Sequence, residues 1–174
     1  MSALEGLIRT IPDFPEPGIA FRDITPLLAD AGALNEAVTA MAGQAGALGA
    51  DVVIGAEARG FLLGPALARE LGCGFAMARK PGKLPYATLS AAYALEYGTE
   101  SLELHDDAIS DGHRVLVHDD LLATGGTAQA VRELVEKSGG EVVGFSFLIE
   151  LEGLGGRERL SPLPVESLMR LEAG

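Results

Sequence analysis

Several short segments of the chain are apolar at nearly every interior position, and stretches with helical spacing separate them. The clearest are DVVIGA at 51–56, RVLVH at 114–118 and VVGFSFLIEL at 142–151. A strand that is apolar on both faces must be covered on both faces, so such strands joined by helices predict a parallel sheet between helical layers. A length of 174 residues is that of one ordinary domain. We therefore predict a single α/β domain.

The remaining elements are predicted from the spacing of their apolar residues. Helices are expected at 34–48, 64–71 and 126–137, with Pro65 in the first turn of the second. Further strands are expected at 75–78, 92–97, 101–104 and 165–171, and a loop rich in proline and glycine at 80–90. Ligands bind at the carboxyl ends of the strands in such sheets, so functional residues are expected there.

Composition excludes several classes of function. The net charge of −12 disfavours a nucleic-acid surface, which needs clustered positive charge. Apolar runs are too short to span a bilayer, and the N-terminal sequence lacks the basic start and apolar core of a signal peptide. We expect a cytoplasmic protein with no membrane partner. The single cysteine, Cys73, excludes an internal disulfide and a cysteine-based zinc site, and is expected to be a small buried hydrophobe.

The segment 115–127 joins a buried strand to a helix through two acids and a loop of small residues, VLVHDDLLATGGT. The glycines allow the backbone to approach a ligand closely, and the helix start offers unpaired N–H groups to a phosphate. Asp119 and Asp120 suit vicinal sugar hydroxyls. The segment lacks the Lys-Ser or Lys-Thr of a Walker loop and the spacing of a dinucleotide fingerprint. An ordinary polar turn is the alternative, but the combination favours a site for a phosphorylated ribose.

DDLLATGGT closely resembles the motif with which type I phosphoribosyltransferases bind phosphoribosyl pyrophosphate (PRPP). The resemblance implies a central, mainly parallel sheet flanked by helices, with a flexible catalytic loop and a small base-binding hood. It implies that Asp119 and Asp120 hold the ribose hydroxyls. It also implies a cradle for the 5′-phosphate, formed by Ala123, Thr124, Gly125, Gly126 and Thr127. It covers the chain from Ile8 to about Leu168, so residues 1–174 are expected to form one domain, with 1–30 as the hood segment and 80–104 as lid and hairpin.

The proline-rich segment FPEPGIAFRDITP at 14–26 resembles the base-recognition segment of adenine phosphoribosyltransferases. That resemblance implies that backbone groups of Ala20 and Arg22 read the edge of adenine while Phe21 stacks on its ring. It also implies that Leu151 packs on the opposite face of the base. Without the resemblance, the segment would be interpreted as a surface loop, and Leu151 as part of a strand core.

Three of the chain's 13 basic residues fall at 79–83, beside the predicted anion site. In the family, the positions of Arg59, Lys80 and Tyr97 contact pyrophosphate, and the glutamate of the LEYG signature, here Glu96, is the catalytic acid or base. The resemblance therefore implies Arg59 and Glu96 as catalytic residues. Taken alone, they would be interpreted as a surface arginine and a solvated glutamate. Mg²⁺ is expected to bind through PRPP, pyrophosphate and water, without dedicated protein ligands.

Two positions depart from the family pattern. Pro81 stands where many relatives carry a second basic residue, so the charge and stiffness of the lid are expected to differ. His118 stands before the acid pair, where an apolar residue is usual. It could tune the acids, but we expect a hydrogen-bonded residue at the edge of the core rather than a catalytic one.

The resemblance implies transfer of the phosphoribosyl group from PRPP to adenine, with AMP and pyrophosphate as products, by a homodimer. One alternative is a phosphoribosyltransferase for a 6-oxopurine, although no lysine near Leu151 could meet the 6-oxo group. Another is a regulator that keeps the fold without catalysis. Such a protein needs a DNA-binding extension, and this acidic chain has no basic N-terminal helix pair.

Overall fold

A computed structural model describes residues 3–94 and 99–173 of the chain. The strands are β1 (Arg9–Ile11), β2 (Phe21–Asp23), β3 (Val52–Ala56), β4 (Gly74–Ala78), β5 (Thr88–Ala94), β6 (Thr99–His105), β7 (Arg114–Leu122), β8 (Glu141–Glu152) and β9 (Val165–Glu172). The helices are α1 (Thr25–Ala29), α2 (Ala31–Ala45), α3 (Gly60–Leu71), α4 (Gly126–Lys137) and α5 (Gly156–Leu160), with 3₁₀ turns at Glu5–Leu7 and Gly46–Leu48.

The central sheet has five parallel strands in the order β4-β3-β7-β8-β9. From β3 the chain moves outward to the edge strand β4, and from β7 it moves the other way through β8 to β9. The direction of winding therefore reverses between β3 and β7, and a crevice opens there beyond the carboxyl ends of the strands. The predicted α/β class and parallel sheet are confirmed.

Each face of the sheet carries its own apolar core, because side chains alternate along the strands. Val53 and Leu116 face α2 and α3, where Met41 and Leu67 are fully buried. Val115 and Val117 face the other way, and Phe145 lies in the same core. On that second face, α4 and the antiparallel hairpin β5–β6 cover the sheet. A separate two-stranded ribbon, β1–β2, carries the proline-rich N-terminal segment.

Two predicted boundaries were wrong. Helix α3 begins at Gly60 rather than residue 64, so Pro65 lies inside the helix and not in its first turn. The early start buries Gly60 and Leu63, and this packing outweighs the lost hydrogen bond at the proline. Strand β5 begins at Thr88, because 88–94 pairs with β6 and satisfies backbone groups that a loop would leave open. Predicted strand residues 95–97 lie outside the described residues.

Cys73, predicted to be a small buried hydrophobe, is half-buried and packs against the core beneath α2 and α3. Its Sγ lies 3.6 Å from the carbonyl oxygen of Ala68, and burial raises the pKa of the thiol. In residues 3–94 and 99–173, no helix combines the length and the apolar character that a membrane crossing requires.

Helix α3 starts directly on top of strand β3 because glycine stands on both sides of the contact. A Cβ on Gly55 would lie 2.6 Å from the carbonyl oxygen of Gly60, and a Cβ on Gly60 would lie 3.2 Å from the backbone of Gly55. No side chain could fit between these backbones. The contact fixes the short loop 57–59 that connects the two elements.

We predict that Gly55→Ala lowers the free energy of unfolding by about 1–3 kcal/mol, because the methyl group meets backbone that cannot yield. The matched control is Gly43→Ala on the exposed face of α2, where a Cβ meets nothing within 4 Å. There alanine should stabilise the helix by about 0.5–1 kcal/mol. Urea unfolding of both variants tests this, and equal effects of the two substitutions would contradict the packing argument.

Candidate active site

The predicted site residues of β3 and β7 meet where the winding of the sheet reverses. Gly55 of β3 pairs with His118 of β7, so the loop after β3 lies beside the acids that follow His118. The sequence predicted that strand β7 ends at His118. The strand instead continues through both acids to Leu122. The reason is its neighbour: β8 runs alongside as far as the pairing of Leu122 with Glu150. The extended backbone directs Asp119 and Asp120 to opposite faces of the sheet.

Arg59 joins three segments that are distant in sequence. Its guanidinium forms an ion pair with Asp120, whose side chain is almost fully buried. The same group donates a hydrogen bond to the carbonyl oxygen of Arg22 (3.1 Å) and lies 4.7 Å from the ring centre of Phe21. Phe14 packs edge-on against Phe21 at 5.2 Å. The structure thus brings together the predicted phosphate-binding arginine, one predicted ribose-binding acid and the predicted base segment.

The two acids differ in their electrostatic surroundings. Burial and the neighbouring charge of Asp120 raise the pKa of Asp119 to about 8. Burial also raises the pKa of Asp120, but the Arg59 guanidinium opposes the effect and favours the carboxylate. The backbone N–H of Asp120 donates to Asp119 Oδ1 (2.9 Å), which holds the two acids in a fixed relation.

The loop after β7 ends at the first turn of α4. Gly125 adopts a left-handed conformation (φ 78°) as the N-cap residue, and no side chain caps the helix. The first backbone N–H groups of a helix have no partner within it, so this turn offers donors to an anion. Thr124 is exposed beside it, while Gly126 and Thr127 are half-buried. This turn is the segment for which the sequence predicts a phosphate cradle.

The basic segment 79–83 is already paired with carboxylates in the described structure. Glu57 accepts hydrogen bonds from the Arg79 side chain (3.1 and 3.3 Å) and from the backbone N–H of Lys80 (3.0 Å). These donors lower the pKa of the Glu57 carboxyl. Lys80 Nζ lies 3.7 Å from Glu100 Oε1, and Glu103 accepts from the backbone of Gly82. The predicted concentration of positive charge is therefore offset by acids from β6 and from the loop after β3.

The predicted base-binding residues lie on β2 and at the end of β8. Phe21 and Ala20 are half-buried in the β1–β2 ribbon, and Leu151 is half-buried against the core beneath α2. The Arg22 guanidinium donates to Thr10 Oγ1 (2.5 Å) and to the carbonyl oxygen of Glu172 (2.7 Å). Leu151 of β8 pairs with Leu171 of β9, so the bond from Arg22 to Glu172 connects the β1–β2 ribbon to the part of the sheet beside Leu151. Glu96 and Tyr97 lie outside the described residues.

His118 was predicted to lie at the edge of the core, but it lies inside the core. It is fully buried, and its Nδ1 lies 3.0 Å from the carbonyl oxygen of Ser146, which supplies the expected hydrogen bond. Burial lowers the pKa of the imidazole to about 4. A ring that stays neutral at physiological pH cannot tune Asp119 or Asp120 by its charge.

Sequence analysis missed a buried ion cluster at the end of β8. Glu150 is 7% exposed and accepts two hydrogen bonds from the Arg157 guanidinium, at 2.9 and 2.5 Å. Arg157 also donates to the carbonyl oxygen of Val165 (2.6 Å) and lowers the pKa of the Glu150 carboxyl. The signal was present in the sequence. A glutamate inside the apolar run 142–151 must find a buried cation, and arginine follows it after seven residues.

We predict that Asp119→Asn stabilises the protein at alkaline pH and not at acidic pH. An acid whose pKa is raised in the folded state stabilises the fold while protonated, so this stability is lost as pH rises from 3.8 toward about 8. Asparagine stays neutral and keeps the acceptor for the Asp120 N–H. The melting temperature of the variant relative to the parent should therefore be several degrees higher at about pH 8 than at about pH 5. Asp107→Asn, at an exposed turn, is the control; a pH-independent difference for Asp119→Asn would contradict the assignment.

Comparison with known proteins agrees with this geometry. The phosphoribosyl transferase domain model matches residues 27–165. The adenine phosphoribosyltransferase of Gloeobacter violaceus is 57% identical over 161 residues, covering 92% of this chain and 94% of the relative. The crystal structure of the Thermoanaerobacter pseudethanolicus enzyme of that name superposes with a TM-score of 0.94 at 50% identity, covering 97% of this chain and 98% of that one. The Giardia lamblia enzyme complexed with 9-deazaadenine gives 0.91 at 36% identity, covering 97% and 96%. The chain belongs to the phosphoribosyltransferase family and, within it, to the adenine phosphoribosyltransferases.

Proposed function

We propose that the chain transfers the 5-phosphoribosyl group from PRPP to adenine, giving AMP and pyrophosphate, a reaction of purine salvage. The observation that carries this proposal is the contact of Arg59 with both Asp120 and the Phe21 segment. That contact brings a sugar-phosphate motif and an aromatic base segment into one crevice. The names of the relatives, including one whose structure contains an adenine analogue, support the same activity.

Asp119 and Asp120 would accept hydrogen bonds from the ribose hydroxyls, and the loop from Ala123 to Thr127 would hold the 5′-phosphate. The uncapped first turn of α4 supports the second role, because its N–H groups have no side-chain partner. Binding of the sugar favours two carboxylates, since a carboxylate accepts from a hydroxyl more strongly than a carboxylic acid does.

Arg59, Lys80 and Tyr97 would bind the pyrophosphate. Arg59 is positioned for this role at the end of β3, and its planar guanidinium suits two phosphate oxygens at once. In the free protein both Arg59 and Lys80 are paired with carboxylates. When pyrophosphate binds, its oxygens would therefore replace the carboxylate partners of Arg59 and Lys80.

Mg²⁺ fits the residues present as an ion carried by the substrate. The described part of the chain contains no cluster of three or more metal-binding side chains. Mg²⁺ usually keeps several waters and binds through substrate phosphates, so it does not need a full set of protein ligands. When bound, Mg²⁺ would offset the negative charge that develops on the departing pyrophosphate.

Adenine would lie between Phe21 and Leu151, with backbone groups of Ala20 and Arg22 reading its edge. Stacking suits the Phe21 ring, which also forms a T-shaped contact with Phe14 and a cation–π contact with Arg59. The assignment of 1–30 as a base-binding hood and 80–104 as lid and hairpin within one domain stays a prediction. So does the cytoplasmic location.

Glu96 would move the proton at the purine ring as glycosidic bond formation proceeds. We predict that Glu96→Gln lowers kcat by about 100-fold or more, since general acid–base catalysis contributes about 10²–10⁴-fold. The dissociation constant of PRPP should change little, because the amide keeps the size of the side chain. Steady-state kinetics and calorimetry measure both, with Glu70→Gln on the exposed face of α3 as control. An unchanged kcat would remove Glu96 from the mechanism.

A base-competition assay tests the proposed function as a whole. The protein is incubated with PRPP, Mg²⁺ and equal amounts of adenine, hypoxanthine and guanine, and the nucleotides formed are identified. AMP is the expected product. IMP or GMP as the main product would establish the 6-oxopurine alternative, and the absence of any nucleotide would favour a non-catalytic regulator.

The proposed assembly is a homodimer that covers the free edge of the sheet. Leu62 on α3 and Met77 on the edge strand β4 are both more than 40% exposed. We predict a solution mass of twice 18.0 kDa, and that Leu62→Glu shifts it toward the monomer. Light scattering measures the mass, and Leu154→Glu, at an exposed leucine outside this edge, is the control. A parent protein that is already monomeric would contradict the proposal.

A further inference from the structure

Helix α5 packs directly on the loop that forms the proposed phosphate cradle. A Cβ on Gly156 would overlap the carbonyl oxygen of Ala123, and a Cβ on Gly125 would lie 3.1 Å from the carbonyl oxygen of Gly156. The two segments thus touch backbone to backbone. The position of α5 determines how far the loop can move away from the sheet.

Arg157 fixes α5 to the central sheet. Its guanidinium holds Glu150 near the end of β8 and the carbonyl oxygen of Val165 at the start of β9. Ser167 Oγ lies within 3.4 Å of the same group. Because Glu150 is buried, this ion pair is costly to break, and α5 is held as a rigid platform.

The next basic residue on this platform, Arg159, extends along the loop itself. Its Cδ lies 3.5 Å from the position of a Cβ on Gly125. The side chain borders a groove of about 600 Å³ that Gly126 and Gln129 also line. Arg159 is exposed, and within the described ranges no carboxylate lies at salt-bridge distance from it. By contrast, Arg132 in the same groove is paired with Glu136 at 2.7 Å.

We propose that Arg159 is a phosphate-binding residue whose guanidinium holds the 5′-phosphate of PRPP and AMP from the outer side of the loop. The inference rests on the proposed function. A 5′-phosphate brings about two negative charges into a chain of net charge −12, while the loop offers only neutral N–H and hydroxyl donors. Arg59 and Lys80 are paired with carboxylates. Arg159 lies beside the loop, and among the described residues no carboxylate forms a salt bridge with its guanidinium.

Calorimetric titration with ribose 5-phosphate, AMP and adenine tests the proposal. Arg159→Ala should weaken the binding of ribose 5-phosphate and of AMP by about tenfold, since it removes a charge-assisted hydrogen bond at an exposed site. Adenine binding should not change, because adenine carries no phosphate. Arg159→Lys should retain part of the affinity. Arg132→Ala is the matched control and should bind all three ligands as the parent does.

In steady-state kinetics, the KM for PRPP should rise in Arg159→Ala while kcat stays within a factor of about two.

Unchanged affinity for ribose 5-phosphate in Arg159→Ala would overturn the proposal, as would an equal loss for adenine and AMP, which would indicate a structural effect. Failure of the parent protein to bind ribose 5-phosphate would overturn it as well. Failure of the proposed function has a different signature: the parent binds ribose 5-phosphate, and Arg159→Ala binds it more weakly, but no AMP forms from PRPP and adenine. That result would retain the phosphate site and remove the transferase.

Discussion

The ion pair between Arg59 and Asp120 is the contact on which the arrangement of this site depends. A carboxylate buried as deeply as Asp120 is stable only beside a cation, so the loop after β3 must deliver an arginine to the end of β7. The loop is short because α3 starts at once, and α3 can start there because Gly55 and Gly60 let two backbones touch. The close backbone contact of Gly55 and Gly60 in the core therefore helps to place the cation that Asp120 requires at the crevice.

The same pair also connects the two halves of the site. The proposed sugar-phosphate side belongs to β7, α4 and α5, and the Glu150–Arg157 pair connects α5 to the sheet. The proposed base side belongs to the β1–β2 ribbon, which lies outside the central sheet. Arg59 contacts that ribbon through Phe21 and the carbonyl oxygen of Arg22, and Arg22 in turn reaches the end of β9. The ribbon is thus positioned by a few polar contacts rather than by strand pairing with the sheet.

Sequence patterns predicted the parallel sheet, helix α4 and the place of functional residues at the carboxyl ends of the strands, because each depends on local periodicity or on strand ends. The ion pair of Arg59 with Asp120 was not predicted, since it joins two segments that are distant in sequence. They could not predict that β7 runs on to Leu122, since that extension depends on the length of the neighbouring strand β8. The pairing of Lys80 with Glu100 depends on the placement of the β5–β6 hairpin, and that of Arg79 with Glu57 depends on the pairing of β4 with β3. No local pattern encodes either placement. His118 was placed at the core edge because a polar residue favours the surface, yet the Ser146 carbonyl meets its one N–H in the interior.

The carboxylate partners of the cations have a consequence for selectivity. A lone inorganic phosphate that approached Arg59 or Lys80 would have to displace a bound carboxylate and would gain only a partner of similar charge. For a ligand that carries its own divalent cation, the electrostatic change on binding would be favourable, because the displaced carboxylates would gain a new positive partner. Under the proposed roles of Arg59 and Lys80, the acids around the crevice would disfavour the binding of simple anions there and favour an anion that carries its own metal ion.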